Sequence, residues 1–138
     1  MFKVSLINSF LCLLAKYLIF FFILAFIEDR FKDAVINNAE TSSEMFRLSL
    51  NYILYILIYL IPLILVFFLP LYFILKIKKG IYFILCIVLF FMVEYSAYTY
   101  FYAPSDKTLG IYNIIIGIIV LGIFFHKAIR SKFISTEN

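Results

Sequence analysis

Apolar residues fill four long runs of the chain, at about residues 7–27, 50–75, 81–101 and 109–126, and polar residues gather between them. A membrane-crossing helix needs about 20 mainly apolar residues to traverse a hydrocarbon core of about 30 Å, and each run is close to that length or longer. The pattern predicts an all-α integral membrane protein with four transmembrane helices. The separators are an acidic segment, EDRFKDAVINNAETSSEMFR, a basic turn, KIKKG, and a polar turn, APSDKT. No internal repeat or composition shift divides the chain, so residues 1–138 read as a single four-helix domain with a polar outer loop at about 28–49. The opening residues have the basic start and apolar middle of a signal peptide. No small-x-small cleavage pattern follows and the apolar run resumes after Lys16, so this stretch reads as a retained first span.

Lysine and arginine are distributed unevenly about these runs. Lys3 flanks the first, Lys76, Lys78 and Lys79 fill the second connection, and Lys127, Arg130 and Lys132 follow the last. The first connection mixes Arg30, Lys32 and Arg47 with Glu28, Asp29, Asp33, Glu40 and Glu44, and the third holds only Asp106 and Lys107. By the positive-inside bias both termini and the KIKKG turn are cytoplasmic and the other two loops lie outside. Thr41-Ser42-Ser43-Glu44 fits a capping box, with Thr41 as N-cap, so the second helix is expected to begin ahead of its apolar run. Pro62 and Pro70 fall inside that helix, where each removes a backbone donor and favours a kink.

Charge within an apolar run is the exception that draws attention. Lys16 interrupts LLAKYLIFFF, and a lysine at mid-membrane costs about 2.5 to 3.5 kcal/mol on insertion scales. Without it the segment from Tyr17 to Ile27 would rise only about 16 Å, too short to cross, so Lys16 lies within the membrane if the segment spans. Ser5, Ser9, Cys12 and Lys16 recur at helical spacing and form a polar stripe, with Leu6, Leu13 and Phe20 expected on a lipid-facing side. Two readings of Lys16 follow. Its stem snorkels down the stripe to the inner interface, or it pairs with Glu94, the one acidic residue well inside a span. The two lie roughly 13 and 20 Å up parallel helices, an offset their side chains can bridge. Lys16 and Glu94 are therefore the candidate intramembrane ion pair.

Tyrosine is the second recurring polar group. Tyr52, Tyr55 and Tyr59 in the second run, Tyr95, Tyr98 and Tyr102 in the third, and Tyr112 with Asn113 in the fourth fall at one outer level. They form either an interfacial belt, in a chain without tryptophan, or a recess open to the outside with Glu94 at its floor. Such a recess could take a cationic ligand or a helix of another membrane protein. Gly110, Asn113 and Gly117 share one face of the fourth run, where a second helix can approach closely, either internally or in an oligomer.

Composition narrows the chemistry. Of 138 residues 66% are hydrophobic and 14% charged, which excludes a water-soluble domain. The net charge of +4 sits in clusters beside apolar runs and points to membrane flanks, not nucleic acid. Cys12 and Cys86 lack the paired spacing of a metal or redox site, and the single histidine, His126, adjoins Lys127. No metalloprotease, phosphate-loop or cysteine-histidine motif is present, so neither enzyme activity nor a cofactor or metal is expected.

The four-span plan with both ends inside and basic inner flanks resembles, in architecture, the immunity proteins that protect bacteria from pore-forming bacteriocins. The expectation is a multi-pass protein of the bacterial inner (plasma) membrane, in keeping with a richness in Phe, Ile, Tyr, Asn and Lys that fits an AT-rich gene. It would be non-enzymatic and act through intramembrane helix contacts, as an accessory or immunity-type factor. Its partners would be the lipid bilayer and another integral membrane protein, or itself as an oligomer. The alternative is a small oligomeric transporter or channel for a cationic or amphipathic solute, using Glu94. Small multidrug exporters carry their essential glutamate in the first helix, where this chain has Lys16, so their residues do not transfer.

Overall fold

The computed structural model describes residues 2–134; Met1 and residues 135–138, the extreme ends of the domain read from the sequence, lie outside the described residues. Four α-helices, α1 (Leu6–Ile27), α2 (Ser42–Lys76), α3 (Gly80–Tyr102) and α4 (Lys107–Ile134), account for most of the chain. A short π-helical turn, Lys32–Ile36, lies between the first two. All four α-helices are long and apolar enough to cross a membrane.

Local chemistry sets the helix ends. The Ser5 hydroxyl accepts from the Asn8 amide at 3.1 Å and starts α1, which stops where Asp29 enters the left-handed region at φ 53°. Thr41 caps α2 by accepting from the Glu44 amide at 3.2 Å. The Glu44 carboxylate reaches back to the Glu40 amide at 3.1 Å, one residue beyond the usual capping-box partner. Because α2 starts at Ser42, the polar loop expected over 28–49 gives its last eight residues to the helix. Asp106 precedes α4 and accepts from the Thr108 amide at 3.0 Å.

Around the bundle α1 packs on α2 and α4, and α3 packs on the same two helices, so α1 and α3 face each other across the diagonal. Short turns at 77–79 and 103–106 make successive helices antiparallel neighbours. At one end Phe2 stacks on Phe124, with ring centroids 4.9 Å apart, and its amide donates to the Phe124 carbonyl. The core is built from α1 positions Leu13, Tyr17, Phe20 and Leu24, and from Leu60, Ile64, Phe67, Leu71 and Leu75 of α2. Leu13 and Phe20 are thus buried, contrary to the lipid-facing side expected for them. Helical arithmetic explains this, since Phe20 follows Lys16 by four residues and Leu13 precedes it by three, which keeps all three on one face. Ile7, Phe22 and Phe26 are exposed on α1, as are Leu65 and Val66 on α2.

The fourth run was expected to end near residue 126, but α4 continues to Ile134 through a kink at Phe125, where φ is −121° and ψ 20°. The kink redirects a basic segment across the end of α2. There the buried Lys132 ammonium donates to the Leu75 carbonyl at 2.7 Å and to the Ile77 carbonyl, which supplies donors to a helix C-terminus and complements its dipole.

Candidate functional site

Lys16 and Tyr17 of α1 meet Glu94 of α3 on the bundle diagonal. The Lys16 ammonium and the Tyr17 hydroxyl both donate to Oε1 of Glu94. All three residues are buried, Glu94 and Tyr17 completely. Consecutive residues of a helix point about 100° apart, so these two straddle the direction of α3 and close on its carboxylate from both sides. The ammonium also lies 4.9 Å from the Tyr17 ring centroid and 5.6 Å from that of Phe91, within cation–π range.

Gly117 of α4 makes room for this geometry. A Cβ built there would sit 2.8 Å from Cε and 3.0 Å from Nζ of Lys16, and 3.0 Å from the Phe91 ring. Gly110 likewise admits the Tyr95 ring and Thr99 hydroxyl of α3, each 2.7 Å from a Cβ built on it. The Gly110, Asn113 and Gly117 face therefore turns inward, against α3 and the Lys16 stem. The polar stripe on α1 is no water path, because Ser9 and Cys12 are buried and the Ser9 hydroxyl donates to the Ser5 carbonyl at 2.8 Å. The cavity beside Lys16 holds about 10 Å³, at the lower limit for one water molecule. Glu94 Oε2, Thr99 Oγ1 and both amide atoms of Asn113 have no hydrogen-bond partner among the described residues.

Toward the loop end that carries the acidic residues lies a recess of about 600 Å³ between the first connection, α2, the end of α3 and the start of α4. Tyr52, Tyr55, Tyr59, Tyr98 and Tyr102 line it, with Glu28, Arg30, Asp33 and Asp106 at charged positions. Tyr98 and Tyr102 stack 5.6 Å apart, and Tyr59 meets Tyr102 edge-on at 5.4 Å. The Tyr102 hydroxyl donates to the Tyr59 carbonyl at 2.7 Å, in the turn that Pro62 deprives of one backbone donor.

Three residues expected in this recess do not line it. Tyr95 lies about 60° around α3 from Tyr98 and so faces Gly110 of α4. Asn113 is buried on the inner face of α4, between the two glycines. Glu94 is one turn below Tyr98, and Phe20, one turn above Lys16, packs edge-on against Tyr98 at 5.2 Å. That ring layer separates the ion pair from the recess. Tyr112 is exposed.

Sequence reasoning missed Tyr17, whose only signal was its position beside Lys16, and the contact of Lys132, read there only as a basic flank, with the end of α2. It also missed the charged rim of Glu28, Arg30, Asp33 and Asp106, because the loops that bring these residues together are far apart in sequence. Among the described residues no group of three or more His, Cys, Asp or Glu side chains could hold a metal ion. A buried ion pair beside no more space than about one water can fix helix register, and the open recess can receive a ligand. No family model, characterised protein or solved structure matches the chain.

Proposed function

We propose that this chain is a small non-enzymatic polytopic membrane protein that acts by intramembrane helix contacts with another membrane protein, as an accessory or immunity-type factor. The observation that carries this reading is the sealed Lys16–Tyr17–Glu94 cluster. A carboxylate that binds and releases a solute needs access to water and a place for the solute. Glu94 is fully buried and holds two donors, and the small cavity beside its partner Lys16 is about the size of one water molecule. This favours a fixed scaffold presenting surfaces over a conduit through Glu94. Exposed apolar side chains on every helix supply the surface, toward lipid or a partner helix.

The proposed setting is the bacterial inner membrane with both termini cytoplasmic. Lys76, Lys78 and Lys79 lie at the end that also holds Phe2 and Lys132, and Glu28, Asp33 and Asp106 lie at the other.

Two measurements test the reading. Photocrosslinkers placed at Ile58 or Val66, on the α2 side that borders α3, or at Ile118 of α4 in intact cells should yield an adduct of one defined mass, from one of these two faces and not from both. Proteoliposomes of the purified protein should show no cation or proton flux above empty vesicles. Flux that disappears in Glu94→Gln, with the fold intact, would overturn the proposal in favour of transport.

A further inference from the structure

The outer recess shares a wall with a second cavity. An apolar groove of about 550 Å³ runs between α2 and α3, lined by Pro62, Val66, Ala97 and Phe101 among others, and Tyr59 and Tyr102 line both it and the recess. The recess is polar, aromatic and negatively charged. Three carboxylates, Glu28, Asp33 and Asp106, face one guanidinium, Arg30, and Glu28 is already paired with it at 2.5 Å. Asp33 and Asp106 make no ion pair among the described residues. Tyr98, almost wholly buried, lines the recess with a hydroxyl that makes no hydrogen bond among the described residues. Clustered tyrosine faces beside uncompensated carboxylates favour an organic cation, through ring quadrupole and charge together. The adjoining groove is almost entirely apolar in its lining and faces the side of the bundle.

From this juxtaposition we infer that the protein binds a cationic amphiphile, with its ammonium or guanidinium head in the tyrosine recess and its apolar tail in the α2–α3 groove, passing the Tyr59–Tyr102 pair. A head-only cation would use the recess alone, and a neutral amphiphile would leave Asp33 and Asp106 uncompensated. The inference goes beyond the helix-contact reading and does not depend on it, because the site belongs to the isolated chain.

The test is equilibrium binding of radiolabelled octyltrimethylammonium to the full chain in nanodiscs, with partition into empty nanodiscs subtracted. One saturable site per chain is expected, weakened by salt. Octyl glucoside, which shares the tail but not the charge, should not compete. Asp33→Asn with Asp106→Asn should weaken binding about tenfold or more, and Asn can still cap α4. Ala97→Phe, which fills the groove, should weaken octyltrimethylammonium severalfold and leave tetramethylammonium unchanged. Tyr98→Phe, a milder change, should weaken both. Thermal melting by circular dichroism verifies the fold of each variant. Absence of saturable binding above empty nanodiscs overturns the inference, and so does binding unchanged within twofold in the folded double variant. A Leu-rich peptide with one terminal lysine distinguishes the sources of this chemistry. Displacement of the label assigns the site to a peptide segment, and failure to displace assigns it to a free amphiphile.

Discussion

Removing Glu94 or Lys16 singly should damage this protein more than removing both. The two charges meet in a core whose adjoining cavity, beside Lys16, has room for at most about one water, and two donors converge on one carboxylate oxygen. At an effective permittivity of about 20 and a separation of about 3 Å, their attraction is about 5 to 6 kcal/mol, opposed by a desolvation cost of several kcal/mol for each ion. Glu94→Ala leaves the ammonium buried without its counter-ion, and Lys16→Met leaves the carboxylate with only the Tyr17 hydroxyl. Each should cost about 3 to 5 kcal/mol. The double variant Lys16→Met with Glu94→Met removes both desolvation costs and fills similar volume but leaves the buried Tyr17 hydroxyl without its acceptor, at about 1 to 3 kcal/mol, so it should lie within about 3 kcal/mol of the starting protein. The assay is reversible unfolding in mixed micelles, with the coupling energy taken from the double-mutant cycle. A double variant that loses the sum of the single losses, about 6 to 10 kcal/mol, would refute the reasoning, because independent sites add and a pair does not.

Other expected outcomes follow from named contacts. Gly117→Ala should destabilise by about 1 to 3 kcal/mol, since its Cβ collides with the Lys16 stem, whereas Gly122→Ala, with nothing within 4 Å of its Cβ, should be neutral or stabilise by up to about 1 kcal/mol; the same unfolding assay reads both. Lys132→Met should cost about 1 to 3 kcal/mol and speed amide exchange in the last turn of α2, because the Leu75 and Ile77 carbonyls lose a charged donor. Cysteines introduced at Lys78 and at Ser105, in a background lacking Cys12 and Cys86, should label from opposite sides of the membrane with an impermeant maleimide; labelling of both from one side would refute the proposed topology.

The four helices were legible because membrane spans are specified by length and apolarity, both of which are local. Their ends were legible where a side chain caps its own turn, as Thr41 does. The end of α4 was not, since the helix past Phe125 is held by Lys132 reaching α2 and by Phe133 lying against Gly80, contacts between residues more than 50 apart in the chain. Periodicity placed Lys16, Cys12 and Ser9 on one face, and the same arithmetic puts Leu13 and Phe20 there, which a reading of the polar positions alone left out. A stripe drawn through polar residues alone misplaces the centre of a buried face. In the recess, tyrosines on α2 and α3 were readable from spacing within each helix, while the acidic rim depended on how the loops fold over the bundle end.

Helix order also decides what the Lys16–Glu94 pair can do. In a ring of four helices the diagonal pair does not share a packed seam, so side chains that cross the centre are what relate α1 to α3. A charged contact there fixes axial register, because sliding either helix by one turn, about 5.4 Å, would strand both charges. The same energetics weigh against traffic through Glu94. If parting the pair costs about 3 to 5 kcal/mol, the open arrangement is populated in roughly one molecule in a hundred to one in several thousand, at tenfold per 1.4 kcal/mol. A solute would have to bind the open arrangement more tightly by that same factor merely to hold half the molecules in it. The recess meets no such barrier, since it is open in the fold as it stands and a ring layer of Phe20 and Tyr98 separates it from the pair. The proposed ligand recognition at the recess and register at the centre are therefore separable, and a variant that neutralises Asp33 and Asp106 should leave the coupling between Lys16 and Glu94 unchanged.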